Sequence, residues 1–234
     1  MRGSVNYAGC SIDYHARYSA RKTLAISVHP DGVVEVVAPE GVEQQIIEQR
    51  LLRRADWVLK QQRYFDQFRP RTPERRFVGG ETHLYLGRQY RLKIAEGDED
   101  HARLKGAFFH VLVSGTPTSD RVRHLMTEWY REHARAKLTE RYQAAFERYG
   151  RVLPRIPALS VAPMKQRWGS YSANGRITLN VDLIRAPISC IDYVILHELV
   201  HARHPEHGRA FFNLLEEIMP DWNERKQRLE RMLA

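Results

Sequence analysis

One pentapeptide constrains this 234-residue chain more than any other feature: His197-Glu198-Leu199-Val200-His201, followed six residues later by His207. Helix geometry of about 100° and 1.5 Å per residue puts His197 and His201 roughly 40° apart and about 6 Å along one face. Two imidazoles so placed can converge on one metal ion at about 2.0–2.1 Å. Glu198 falls on the same side of the helix, within reach of a water at such an ion. The chain holds 11 His and 28 acidic residues, so H-(D/E)-x-x-H should arise by chance in about 0.06 of such sequences, and adding a fixed third His lowers this to about 0.003. The pattern therefore reads as a zinc site and not as scattered surface histidines. Ile191, Val194, Ile195 and Leu199 recur at helical spacing around it, which predicts a buried amphipathic helix.

The third ligand is a choice. His204 on a continuing helix would lie about 10 Å beyond His197, too far to share an ion. Pro205 disfavours helical geometry at His204, so the helix should end or bend there. A chain turning at Pro205 can swing His207 back towards the metal, with Gly208 allowing the turn and Phe211, Leu214, Leu215 and Ile218 starting a further amphipathic helix. His207 is preferred; His204 is the alternative, and then Glu216 or Glu217 as in two-His, one-Glu sites.

Arg167-Trp168-Gly169-Ser170 and Ile177-Thr178-Leu179-Asn180 precede the motif, and His207 to Phe212 follow it. With these flanks the chain resembles the bacterial YgjP-like metallopeptidases, relatives of the SprT and Wss-type minimal zincins. The resemblance spans most of the chain. It implies an α+β fold, with a β-rich N-terminal half followed by a zincin-like core of β-hairpin and HExxH helix. It also implies His197, His201 and His207 as ligands of Zn2+, Glu198 as general base, and peptide hydrolysis. Some members of the group are described as nucleotide pyrophosphatases acting on UTP, so a nucleotide substrate is the alternative. Where the family usually has Cys after Trp-Gly-Ser, this chain has Tyr171, so no thiol can act at that position. The resemblance further suggests that the strand 177–180 binds an extended substrate along its edge; a plain structural hairpin is the competing reading.

The expected chemistry is metal-assisted hydrolysis, in which zinc with one open position lowers the pKa of water towards 7 and Glu198 accepts its proton. Tyr171 and Arg176, from the neighbouring hairpin, are candidates to stabilise the developing oxyanion. A binding module with a purely structural zinc is a third possibility. It has no use for a glutamate beside its first ligand, and structural sites usually close with four protein ligands, often Cys.

Composition bounds the rest. Hydrophobic content of 43% and charged content of 28% describe a soluble globular protein. Residues 1–20 lack an apolar secretory core, and no apolar run approaches the roughly 20 residues that span a bilayer. Cys10 and Cys190 form no disulfide framework or CxxC pattern, which points to a reducing cytoplasm. Of the net charge of +9, two-thirds falls between Arg50 and Arg76, with nine Lys or Arg against Asp56, Asp66 and Glu74. Such a run is either a solvated face or a surface for an anionic partner. Oligomeric state is not legible.

Along the chain, 24–29 and 33–38 read as strands around Pro30-Asp31-Gly32, and 42–68 as a helix. Strands are expected at 83–86, 89–95 and 107–113, then a long helix from 120 to 149 with His133 at its core edge. Gly150 and Pro154 precede a hairpin whose arms, 160–171 and 176–181, flank Asn174-Gly175. The expected division is 1–117, a β-rich region with one long helix, and 118–234, the metal-binding catalytic domain.

Overall fold

The computed structural model describes residues 1–29, 31–66, 75–150, 157–165 and 167–233. Pro30, Glu74 and Pro154, named above, lie outside the described residues, as do Arg69 and Arg71 of the basic run. The fold is α+β. It divides into two compact units, residues 1–72 and 73–233.

The first unit begins with two strands that the sequence reading did not find, β1 (Arg2–Tyr7) and β2 (Cys10–Ser19). Their turn has positive φ at Ala8 and Gly9, 48° and 79°, the backbone of a two-residue hairpin that usually advertises itself as Asn-Gly. Here Ala stands where Asn is expected, and the signal is lost. β3 (Ala25–Val28) and β4 (Val34–Pro39) form the expected hairpin, with Gly32 at φ 82°. The sheet order is β1-β2-β4-β3. The stretch 42–68 is two helices, not one: α1 (Gln44–Leu52) and α2 (Ala55–Asp66). A tightened turn separates them, with Arg54 N–H donating to the Leu51 carbonyl at 3.0 Å. Ile47, Leu51, Ala55 and Val58 still share one core with Ile12, Tyr14, Val34 and Val36.

In the second unit, β5 (Thr82–Tyr85), β6 (Arg88–Gly97), β7 (His101–Lys105) and β8 (Phe108–Ser114) form a sheet of order β5-β6-β8-β7. Strand β7 was not anticipated. Helix α3 (Ser119–Tyr149) starts where Thr118 accepts from the Arg121 N–H. Its buried side includes Val122, Met126, Trp129, Leu138 and Tyr142, and His133 stacks on Trp129 at the core edge, where the sequence places it. Phe109, Val111 and Val113 enter the same core as Trp129, Leu179 and Leu199. The expected boundary between 117 and 118 thus falls inside this unit: β8 and α3 bury their apolar faces on each other.

A third sheet has order β10-β11-β9, from β9 (Ala158–Ala162), β10 (Gly169–Ser172) and β11 (Arg176–Asn180). β10 and β11 form the Asn174-Gly175 hairpin, with Gly175 at φ 76°. The arm expected over 160–171 is two strands, because β9 runs parallel to the other side of β11. This corrects the substrate-edge expectation: β11 is central, and its backbone is paired on both sides. A 3-10 turn (Val181–Arg185) leads into α4 (Ile188–Val200), followed by α5 (Arg209–Ile218) and α6 (Trp222–Leu233). α4 is not amphipathic. Cys190, Tyr193, Leu196 and Val200 are buried along with its expected stripe, because α3, α5, α6, β10 and β11 all pack on it. No helix among the described residues is long and apolar enough to cross a membrane.

Candidate metal centre

α4 carries His197 and Glu198 in its last turn and ends with His201 as its C-cap. The end comes earlier than Pro205 alone predicts. The following turn stays tight, with the N–H groups of Arg203 and His204 both donating to the Val200 carbonyl. The loop 202–208 then returns His207 to the helix. His197, His201 and His207 each present a ligand atom, all within 4.8 Å of one another. Glu216 and Glu217 sit exposed on α5, outside this group. His204 contributes its backbone instead of its ring: its carbonyl lies 3.2 Å from His201 Nδ1. An Nδ1–H donating there leaves Nε2 of His201 free to ligate.

The donor set fits a metal ion. Nε2 atoms of His197 and His207 are 2.9 Å apart, and a tetrahedral ion with bonds of about 2.0–2.1 Å needs nitrogens about 3.3 Å apart, an opening of a few tenths of an ångström. Burial, then the neighbouring His201 and His207, push the His197 pKa down to about 3, and burial also lowers those of His201 and His207. All three rings are therefore neutral at neutral pH, the form that can donate a nitrogen lone pair to a metal ion. Phe211, fully buried, packs its ring against all three imidazoles at centroid distances of 4.6–5.0 Å. His197 Nδ1 is buried with no hydrogen-bond partner among the described residues.

Glu198 is 6% exposed. Burial pushes its pKa up to about 7, while Arg167 and the donating Tyr171 backbone N–H oppose the rise. Gly169 lies directly against it, so that a β-carbon there would fall 2.8 Å from Glu198 Cγ. Asn180, 3% exposed, ties down Met164 and Arg167. Its Nδ2 donates to the carbonyls of Met164 and Arg167, each at 2.9 Å, and its Oδ1 accepts from the N–H groups of Met164 and Asp182.

An open cleft of about 730 Å³ joins these groups, lined among others by Arg167, Gly169, Tyr171, His197, Glu198, His201 and His207. Tyr171 is where the sequence reading put it. Arg176 is not: it is exposed at the start of β11, opposite Ser172, and does not line the cleft. The cation at the cleft is Arg167, which no spacing rule singles out because it approaches Glu198 through tertiary packing. Gly169 and Asn180 stand in motifs visible in the sequence, but their contacts to Glu198 and to Met164 and Arg167 cross between elements.

The expected basic surface over 50–76 also divides. Arg50 is in the last turn of α1, Arg53 and Arg54 lie between the helices, and Lys60 and Arg63 are on α2, whereas Arg75 and Arg76 belong to the second unit.

The family described as YgjP-like, metallopeptidase domain matches residues 22–232. The chain belongs to that family. Two solved structures are also similar: the metallopeptidase zymogens of Pyrococcus abyssi abylysin and Methanocaldococcus jannaschii jannalysin. The first is 22% identical, with a TM-score of 0.36, covering 39% of this chain and 90% of that one. The second is 21% identical, with a TM-score of 0.37, covering 42% and 97%. A comparison with curated proteins finds no match.

Proposed function

We propose that this YgjP-like chain is a zinc-dependent metallopeptidase, with His197, His201 and His207 as ligands and Glu198 as general base. The observation that carries the reading is the convergence of three imidazole nitrogens and one buried carboxyl on a single open cleft. When bound, zinc would supply Lewis acidity to a peptide carbonyl and to water. Glu198 accepts the proton of the attacking water and passes it to the leaving amine. A pKa of about 7 suits both transfers near neutral pH, and Gly169 and the Tyr171 N–H fix where the carboxylate sits.

β10 is an edge strand beside the cleft. An extended substrate pairing with its open side is held along the backbone, which gives sequence-tolerant affinity. The Arg167 guanidinium and the Tyr171 phenol are the cleft groups able to stabilise a developing oxyanion. Among the described residues Arg167 is the one Lys or Arg lining the cleft, sparse counter-charge for a nucleoside triphosphate. A peptide substrate is therefore favoured over UTP.

The test compares metal content and hydrolysis in wild-type protein, His201→Ala and Glu198→Gln. Expected are about one metal ion in the wild type, much less in His201→Ala, and peptide cleavage that disappears in Glu198→Gln although metal remains. Equal metal in wild type and His201→Ala would sink the site. Pyrophosphate release from UTP that Glu198→Gln abolishes, without peptide cleavage, would replace the peptidase reading with the nucleotide one.

A further inference from the structure

The sheet of the second unit has two unlike faces. Phe109, Val111 and Val113 of β8 are buried in the core, with Phe109 against Trp129 of α3 at 4.8 Å between centroids. By alternation Phe108, His110 and Leu112 project from the opposite face. The strand register aligns them with their neighbours in rows: Arg91–Phe108–Lys105, Lys93–His110–Arg103 and Ala95–Leu112–His101. Two rows thus place an aromatic ring between two cations across three adjacent strands, and no Asp or Glu stands at any of these positions. Arg91, Lys93, Arg103 and Lys105 are exposed, and none forms an ion pair among the described residues. Asp98, Glu99 and Asp100 stand in the turn between β6 and β7, at the end of the sheet away from the Phe108 row, and Glu96 of β6, paired with Val113, alternates to the other face.

Two further observations point the same way. A concavity of about 430 Å³ runs over Lys93, Ala95, His110 and Leu112 and is bordered by Gly79 and Gly80. A β-carbon at either glycine would stand in open space. The Lys93 ammonium lies 3.7 Å from the centre of the Phe108 ring, so the ring face is accessible to a ligand that displaces a flexible side chain. Besides burial, Lys93, Arg103 and Lys105 all lower the His110 pKa, a measure of how positive this face is.

We infer that this face of the β5-β6-β8-β7 sheet binds single-stranded nucleic acid, with bases stacked on Phe108 and His110 and phosphates on Arg91, Lys93, Arg103 and Lys105. A four-stranded sheet with solvent-facing aromatic rings flanked by cations is a general solution for holding unpaired bases. A base displacing Lys93 from Phe108 frees that ammonium for a phosphate. An acidic peptide would use the cations but leave both rings without a matching group. The surface is separate from the metal cleft and does not depend on the reading given to that cleft.

The test is fluorescence anisotropy of a labelled oligothymidine of about 15 nucleotides against the full chain, its Phe108→Leu variant and its Lys93→Gln/Arg103→Gln variant. An Arg53→Gln/Arg54→Gln variant serves as control, removing the same charge from the first unit. Expected are losses of about tenfold or more in both sheet variants, from removed stacking and removed phosphate contacts, and less than about twofold in the control. The slope of log affinity against log salt should shrink by about 1.4 in the sheet charge variant and stay unchanged in Phe108→Leu. Circular dichroism checks that each variant is folded; the two charge variants alter only exposed side chains. No saturable binding, an equal loss in the control, or an unchanged Phe108→Leu would overturn the inference. Polyglutamate competing as well as the oligonucleotide would also overturn it and assign the face to an acidic protein.

Discussion

Gly169 and Glu198 touch: a β-carbon at 169 would lie 2.8 Å from both Cγ and Oε1 of the buried carboxylate. The strand β10 thereby sets the position of the carboxyl proposed as general base. Gly169→Ala must displace Glu198, since real β-carbons are not found so close. The expected outcome is a loss of turnover of about tenfold or more with metal content unchanged, because misplacing a catalytic group by about 1 Å costs up to about a hundredfold. Turnover and metal content measured on the same preparation check this.

His204 and His207 present different groups to the cluster, a backbone carbonyl and a ring nitrogen. His207→Ala removes one of three converging nitrogens and should lose most of the bound metal. His204→Ala keeps the carbonyl that faces His201 Nδ1 and should retain it. Metal analysis after dialysis reads both. Retention in His207→Ala with loss in His204→Ala would reverse the assignment.

Asn180 holds Met164 and Arg167 with buried hydrogen bonds. Asn180→Ala strands two carbonyls and two N–H groups, at about 1–3 kcal/mol for each buried group left unsatisfied. A thermal midpoint lowered by several degrees is expected. Since Arg167 lines the cleft, turnover should fall as well, even at temperatures where the variant is fully folded.

Glu230, which does not line the cleft, gives stability a pH dependence of its own. Burial raises its pKa from 4.5 to about 7, and its Oε2 is buried without a partner among the described residues. The folded state therefore holds this proton more tightly than the unfolded one. Its penalty is absent below about pH 4.5, grows as the pH rises, and is complete above about pH 7, reaching up to about 3 kcal/mol at about 1.36 kcal/mol per unit. Glu230→Gln should match the wild type in denaturant unfolding at pH 4 and exceed it at pH 8. Equal stability at both would refute the role of burial.

Much of the fold was legible where periodicity is strong and local. The 31-residue α3, the β3–β4 hairpin and the Asn174-Gly175 turn follow from spacing and turn chemistry. β1 and β2 escaped because their Ala-Gly turn carries little local signal, and β7 because it is short and charge-rich; pairing partners stabilise them. The domain boundary was placed too late for a related reason. Whether β5–β8 join the first unit or the second depends on which core takes Phe109 and Val111, and that is a long-range contact.

The site divides along the same line. The sequence by itself determined that His197, His201 and Glu198 share one side of a helix, because i, i+1 and i+4 on a helix is a fixed geometry. It also determined that Pro205 and Gly208 must turn the chain. Only the tertiary structure decided that His207 completes the triad while His204 lends its carbonyl, and that Arg167 and not Arg176 faces the cleft. It alone made β10 the open edge, since β9 closes the other side of β11. Those outcomes depend on how separate elements pack, and packing free energy is shared among residues distant in the chain.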